Sequence, residues 1–320
     1  MSKRSSGAGS VGISAIAYAL PERALDLGGL HERRLLDSSP AVLAEFGFCC
    51  AYISDRPAHE LALVALRRLL AQTAIDPESV DAIYFAGAIP SSHHVIPDGS
   101  ALSGFTYPVA RLQYECGLMN AEAVGISQNG CTGLMTAVSM AADHLMANPA
   151  ARAVICISAD VLPAGARREI IYNVISDGAC ALLVERDAAR NRLLARTQIT
   201  KGYYWNACVG RNEIVAAYFP TARAIVDRTL ADAGITVDDI AAVMPHNVSR
   251  RSWEILLPML GIPMSRLFAE NIPRTGHVIA ADNFINLCDA IAAERVRPGD
   301  RALLFSFGFG ANWASMVLEV

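Results

Sequence analysis

Apolar and polar positions along the chain follow two rhythms, and the two recur in the same order. In "LRRLLAQTAIDPESVDAIYFAG", Leu66 to Gly87, apolar residues are spaced by three and four, then an acidic turn intervenes, then the apolar residues run together. That pattern predicts an amphipathic helix, a short turn and a buried strand. "VDRTLADAGITVDDIAAVMPHN", Val226 to Asn247, repeats it, with Arg68/Arg228, Leu70/Leu230, Ala71/Ala231, Ile75/Ile235 and Ala82/Ala242 identical at a constant offset. A second pair follows. "AARAVICIS" (Ala150 to Ser158) matches "GDRALLFSF" (Gly299 to Phe307), each after a long helical pattern, roughly 131–147 and 280–295.

Each half therefore reads as helix, strand, loop, helix, strand, and two such α/β units are expected to pack as a pseudo-twofold pair with a site at their seam. The boundaries are 1–10 for a disordered polar tail, 11–185 for the first half and 186–320 for the second. The unequal offsets of the two repeats leave extra residues in the first half. Segment 88–118, rich in turn formers, is expected to hold them as a cap or interface loop.

Composition narrows the class. Hydrophobic residues make up 53% of the 320 positions and charged ones 18%, which demands a large buried core and excludes a disordered chain. The net charge of −4 comes with no basic run, so no nucleic-acid partner is expected. The eight cysteines lack both the density of a secreted disulfide scaffold and the CxxC spacing of a zinc site. Cytoplasmic residence is the expectation. The polar N-terminus lacks the apolar core of a signal peptide, and no apolar run is long enough for a membrane span.

One cysteine has an unusual address. In "GISQNGCTGLMTAV", Cys131 stands between a glycine-bounded loop and the start of a helical pattern, where unpaired amides and the dipole favour a thiolate. On the duplicated plan the loops that open the second helix of each half face one another. "RTGHVIAADN" then brings His277 toward Cys131, and "VMPHNVSRRSW", at a strand end, brings His246. Other candidates are weaker. His93 and His94 are adjacent on a loop without an acidic cluster, so no metal site is expected, and Cys49 and Cys50 read as structural. "FSFGFGANW" lacks the strand–GxGxxG–helix order of a dinucleotide site. "RREII", Arg167 to Ile171, reads either as a basic edge for an acidic carrier or as a solvated helix start.

Taken together, these motifs resemble the ketoacyl synthase III branch of the thiolase superfamily over nearly the whole chain from Val11. "GISQNGCTGLMTAV" resembles its nucleophile segment, "SDGACALLV" its Gly-Asp-Gly-Ala-Gly-Ala turn and "MPHN" its Pro-His-Gln-Ala-Asn. "TGHVIAADNFINL" resembles its Gly-Asn-Thr-Ser-Ala-Ala segment and "FGFGANW" its C-terminal Phe-Gly-Gly-Gly-Phe-Thr-Trp. The resemblance implies a duplicated five-layer α-β-α-β-α fold and an acyltransferase without cofactor or metal, acting on a coenzyme A or acyl-carrier-protein thioester as a homodimer. Carried over, Cys131 is the nucleophile, His246 a catalytic histidine, and the amides of Cys131 and Phe309 the oxyanion hole.

The departures matter as much. His277 replaces the family's catalytic asparagine, giving Cys-His-His. Asn247 and Asp282 stand beside these residues, and Asp282 either orients His277 or caps the following helix. Ala51 replaces the arginine that grips coenzyme A in the family. The acceptor is read first as a malonyl-type carbon nucleophile in a specialised or fatty-acid-like pathway. The alternatives are transfer to an oxygen, nitrogen or other carbon nucleophile, and a non-catalytic partner subunit.

Overall fold

The computed structural model describes residues 10–89, 106–207 and 209–320. Most of the proposed tail, His93 and His94, and the middle of segment 88–118 lie outside the described residues. Nine strands form one hydrogen-bonded sheet. They are β1 (Val11–Ala19), β2 (Ala82–Ala86), β3 (Glu122–Ile126), β4 (Ala153–Asp160), β5 (Gly178–Arg186), β6 (Arg192–Thr200), β7 (Ile240–Met244), β8 (Arg301–Gly308) and β9 (Asn312–Glu319), in the order β7-β8-β9-β6-β1-β5-β4-β2-β3. The longer helices are α1 (Ala58–Thr73), α2 (Pro108–Glu115), α3 (Gly133–Ala147), α4 (Arg211–Ala233), α5 (Arg250–Leu260) and α6 (Asp282–Ala292).

The duplication is visible in strand direction. In the first half β2 runs parallel to β4, which pairs antiparallel with β5, which pairs antiparallel with β1. In the second half β7, β8, β9 and β6 repeat the same senses in the same order. The two half-sheets meet where β1 and β6 share a single residue pair, Gly12 with Arg192. Beyond that point the halves separate into layers.

Strand alternation builds those layers, because neighbouring residues point to opposite faces. Val154, Cys156, Leu182 and Val184 from the first half, and Met244, Leu304, Met316 and Leu318 from the second, enclose α3 and α6 between the sheets. Their neighbours Ile155, Ile157, Ala181 and Leu183 pack outward under α1 through Leu61, Leu66 and Leu69. Leu303, Phe305 and Val317 do the same under α4 and α5 through Ile225, Val226, Trp253 and Leu256. Helix, sheet, helix, sheet, helix is the five-layer arrangement implied by the resemblance.

Three local expectations need correction. The end of segment 88–118 is not loop: Pro108–Glu115 forms α2, with proline pre-set for the first turn of the helix. Both central helices open on a 3-10 turn, Gly130–Thr132 before α3 and Ile279–Ala281 before α6, so each α-helix begins later than the apolar pattern suggests. Arg168 is neither a solvated helix start nor a basic edge. It lies buried in an ion pair with Asp177 at 2.8 Å, next to the short strand Glu169–Ile170.

Candidate active site

The 3-10 turn at Gly130–Thr132 presents Cys131 half-buried at the mouth of α3. Gly130 has φ +54°, a conformation that L side chains rarely adopt, and a Cβ there would sit 2.9 Å from the Phe309 nitrogen. From the other side, a Cβ on Gly308 would fall 2.3 Å from the Asn129 carbonyl and 2.7 Å from the Cys131 nitrogen. The end of β8 therefore lies directly on the nucleophile turn, and glycines on both sides permit that approach. Ser306 adds a tether, its Oγ donating to the Cys131 carbonyl at 3.0 Å. The amides of Cys131 and Phe309 are thus brought to one place, and among the described residues neither gives its proton to a protein acceptor.

His277 faces the sulfur, with Nε2 3.3 Å from Cys131 Sγ. The His277 backbone is pinned on both sides: its N–H donates to the Val174 carbonyl at 2.8 Å, and its carbonyl accepts from Ser176 N–H at 2.9 Å. On the far side of the ring, Nδ1–H donates to Asp282 Oδ2 at 2.5 Å. Asp282 is 0% exposed and also accepts from the backbone N–H groups of Asn247 (2.5 Å) and Val278 (2.6 Å). It thus holds the His277 ring and the Val278 amide; it is not a cap, being itself the first residue of α6, whose N-cap Ala281 has no side-chain hydrogen bond.

Burial alone would lower the His277 pKa, but the facing charges of Asp282 and Cys131, and its hydrogen bonds to both, outweigh it and push the ring up to about 10. Thiol, imidazole and carboxylate in line form the arrangement by which a base draws a proton from sulfur and the carboxylate holds the resulting imidazolium.

His246 is placed differently. It ends the segment after β7, is 0% exposed, and its ring centroid lies 6.2 Å from that of His277. Its Nε2 shares a hydrogen bond of 2.9 Å with the hydroxyl of Tyr218 on α4, while its Nδ1 has no partner among the described residues. Complete burial, with His277 beside it, holds its pKa well below the usual histidine range, so the ring is neutral. The phenol pKa of Tyr218 is raised, by burial and by the nearby Cys131. Trp253 Nε1–H donates to the His246 carbonyl at 3.1 Å and fixes the backbone of the turn.

Asn247 joins the frame rather than the pocket. Its Nδ2 donates to the Gly276 carbonyl at 3.0 Å, and its Oδ1 accepts from Asn286 Nδ2 at 2.9 Å. Asn283 reaches the Met244 and Phe305 carbonyls, each at 2.9 Å, so the buried polar face of α6 holds the ends of β7 and β8 together.

Tyr218, Ser306, Asn283 and Asn286 escaped the sequence reading. The asparagines had left a signal, since "DNFIN" puts polar groups three and four apart on a helix that is otherwise apolar except for Asp289. Nothing in "AAYFP" marks Tyr218.

Elsewhere, a cavity of about 510 Å³ is lined by Gly47, Arg250, Leu267, Ile272, Pro273 and Arg295, and it includes none of Cys131, His246 and His277. The site is therefore located by its chemistry rather than by that cavity. Ala51 is fully buried, so only a sealed methyl group stands where the resemblance expects an arginine. Among the described residues no cluster of histidine, cysteine and carboxylate groups is arranged to hold a metal.

The comparisons with known proteins agree with one another. The family model described as 3-oxoacyl-[acyl-carrier-protein] synthase III matches residues 127–202, and its C-terminal counterpart matches residues 230–320. The beta-ketoacyl-[acyl-carrier-protein] synthase III of Roseiflexus castenholzii (strain DSM 13941 / HLO8) is 27% identical, over 96% of this chain and 97% of its own. The crystal structure of 3-oxoacyl-[acyl-carrier-protein] synthase III from Aquifex aeolicus VF5 superposes with a TM-score of 0.83 at 23% identity, covering 97% of this chain and 100% of its own. ChlB3, described as an acyltransferase, gives a TM-score of 0.85 at 24% identity, covering 97% of this chain and 98% of its own.

Proposed function

This chain is a ketoacyl synthase III-like member of the thiolase superfamily, and from that premise we propose that it transfers an acyl group from a thioester, through an acyl-Cys131 intermediate, to a nucleophilic acceptor. The observation that carries the reading is the 3.3 Å approach of Cys131 Sγ to His277 Nε2, with Asp282 behind the ring at 2.5 Å.

In the first half-reaction the sulfur, whose proton His277 Nε2 already holds, attacks the donor carbonyl. The oxyanion that forms is met by the amides of Cys131 and Phe309, and each such donor is worth about 3–4 kcal/mol where it has been removed from comparable sites. The carbon–sulfur bond of the donor breaks, and the departing thiolate takes the proton back from His277. Acylation also removes the negative charge at Cys131 that helped hold that proton, so the ring becomes a base for the second step. It then accepts the proton of an incoming O–H or N–H as that atom attacks the acyl carbon. Collapse of the second tetrahedral intermediate expels the Cys131 sulfur and restores the starting pair.

Condensation with a malonyl unit, the first expectation from sequence, asks both imidazoles to meet the substrate. His246 is fully enclosed and its Nε2 is occupied by Tyr218, so the geometry favours an oxygen or nitrogen acceptor. The donor is a coenzyme A or carrier-protein thioester. Homodimerisation is supported by β3, an edge strand with a largely exposed face on which a second copy can extend the sheet. Cytoplasmic residence fits the seven described cysteines, all unpaired.

Intact-protein mass spectrometry after incubation with a panel of acyl-coenzyme A and acyl-carrier thioesters tests the covalent step. The expected result is an acyl adduct present in the wild type and missing in Cys131→Ala. No adduct with any donor would sink the reading and favour a non-catalytic subunit.

A further inference from the structure

Around the sulfur, the histidine that the sequence singles out first is not the group a substrate can reach. His246 has no exposed surface and His277 is 2% exposed, whereas Cys131 and Tyr218 are both half-buried and keep accessible surface. Tyr218 closes off the ring edge of His246 by hydrogen bonding its Nε2, and its own ring is held edge-on by Phe305 and Phe307, with centroids at 6.2 and 5.5 Å. The side chain is therefore braced on two sides.

The tautomer follows from satisfaction of polar groups. A neutral imidazole carries one N–H, and His246 Nδ1 is buried without a partner. An orphaned N–H costs more than an orphaned lone pair, and truly orphaned buried N–H groups are rare. The proton therefore sits on Nε2 and is given to the Tyr218 oxygen.

We propose that Tyr218 is the specificity-determining residue of this site: by occupying His246 Nε2 it withdraws the second imidazole from the substrate, which directs the acyl group to an O–H or N–H acceptor instead of a decarboxylating malonyl unit. The inference rests on the acyl-Cys131 reading. Decarboxylation breaks the bond between the malonyl carbon and its carboxylate and releases carbon dioxide. The electron pair passes into an enolate whose oxygen must be met by hydrogen-bond donors already aimed at it. On the acyl-enzyme His277 has given up its Nε2 proton and keeps only the N–H bound to Asp282. The remaining imidazole donor, His246 Nε2–H, is spent on Tyr218. A single phenol at this position thus separates two reaction classes on one fold.

The experiment uses the full-length protein pre-acylated at Cys131, mixed with a malonyl thioester labelled in its free carboxyl. Labelled carbon dioxide is read per mole of acyl-enzyme, so that a general loss of activity cancels. Tyr218→Phe frees the His246 N–H with little change in shape, and Tyr218→Ala also makes room for the malonyl group. The expected result is a rise of about tenfold or more in Tyr218→Ala, with Tyr218→Phe between it and the wild type, abolished by adding His246→Ala. Acyl-enzyme present in every variant with carbon dioxide release unchanged would overturn the assignment of Tyr218 while leaving the acyl-enzyme reading intact. Release by the wild type as fast as by Tyr218→Ala would do the same. Failure of the wild type to acylate would instead remove the reading beneath it, and the proposal with it.

Discussion

Two helices lie between the sheets, related by the internal duplication, and each opens on a 3-10 turn whose ends touch. The opening of α3 is bracketed by Gly130 and Gly133, stays half-open and carries a thiol. The opening of α6 is closed throughout. Ile279 is held at φ +51°, a strained setting for a β-branched residue, and Asp282 in the first turn is sealed from solvent. Both ends offer the same positive end of a helix dipole. One uses it where charge develops during reaction, and the other where charge is permanent. The duplication therefore supplies two equivalent electrostatic positions, and the sequence puts a half-buried thiol at one and a sealed carboxylate at the other.

The comparison breaks most completely at Cys131. Cys131→Ala is expected to lower acyl transfer by about a thousandfold or more, because the remaining base and amides have no nucleophile to serve. Acyl adduct and turnover measure this directly. A variant retaining transfer at wild-type rate would place the chemistry elsewhere.

Next comes the closed opening. Asp282→Asn keeps the shape but removes the charge behind His277, and a loss on the order of 10²- to 10⁴-fold is expected from comparable carboxylates. It also has a signature in stability. His277 binds its proton more tightly folded, at about 10, than at its ordinary 6.5. A pKa raised by folding contributes stability that is complete below pH 6.5 and disappears as pH climbs through about 10. Melting temperatures between those limits should fall more steeply for the wild type than for Asp282→Asn. Equal slopes would mean that the carboxylate does not hold the proton.

Gly308→Ala attacks the open side. Its methyl would meet the Asn129 carbonyl and the Cys131 nitrogen, so it should cost about 1–3 kcal/mol by overpacking. The rate should fall disproportionately if the displaced amide is, as proposed, one of the two that meet the oxyanion. Chemical denaturation alongside single-turnover acylation separates the two effects. The smallest change is Ser306→Ala, which removes one buried hydrogen bond to the Cys131 carbonyl and should cost about 0.5–1.5 kcal/mol. His277 should keep its pH dependence in that variant, which would confine the effect to the first opening.

Much of this architecture is written in periodicity. The helix-strand repeats at Leu66–Gly87 and Val226–Asn247 fall on α1 with β2 and on α4 with β7, since burial of one face leaves a spacing that the eye can follow. The pairing of Cys131 with His277 followed from motif order alone, because a duplicated fold makes the loops meet. What periodicity does not carry is what a buried face touches. Tyr218 belongs to an ordinary helix, and its partner lies beyond the next strand, so only packing reveals it. The weight of Asp282 was half-visible for a similar reason: a carboxylate ahead of a helix is normally a cap, and the imidazole it orients is set by a left-handed turn at Ile279. Segment 88–118 misled because its proline and glycine content outweighed the helical run that follows Tyr107.

The contact of Gly308 with the nucleophile turn also orders events in time. A chain made from its N-terminus exposes Cys131 long before His277 exists, and Gly308 comes later still. Until β8 docks, one amide of the proposed oxyanion hole is missing and the turn has nothing to press against. Contacts spanning so much sequence also form slowly. On the proposed acyl-Cys131 mechanism, reactivity is therefore withheld from the nascent polypeptide, and a ribosome-bound or truncated product would be unable to capture acyl groups from the pool around it.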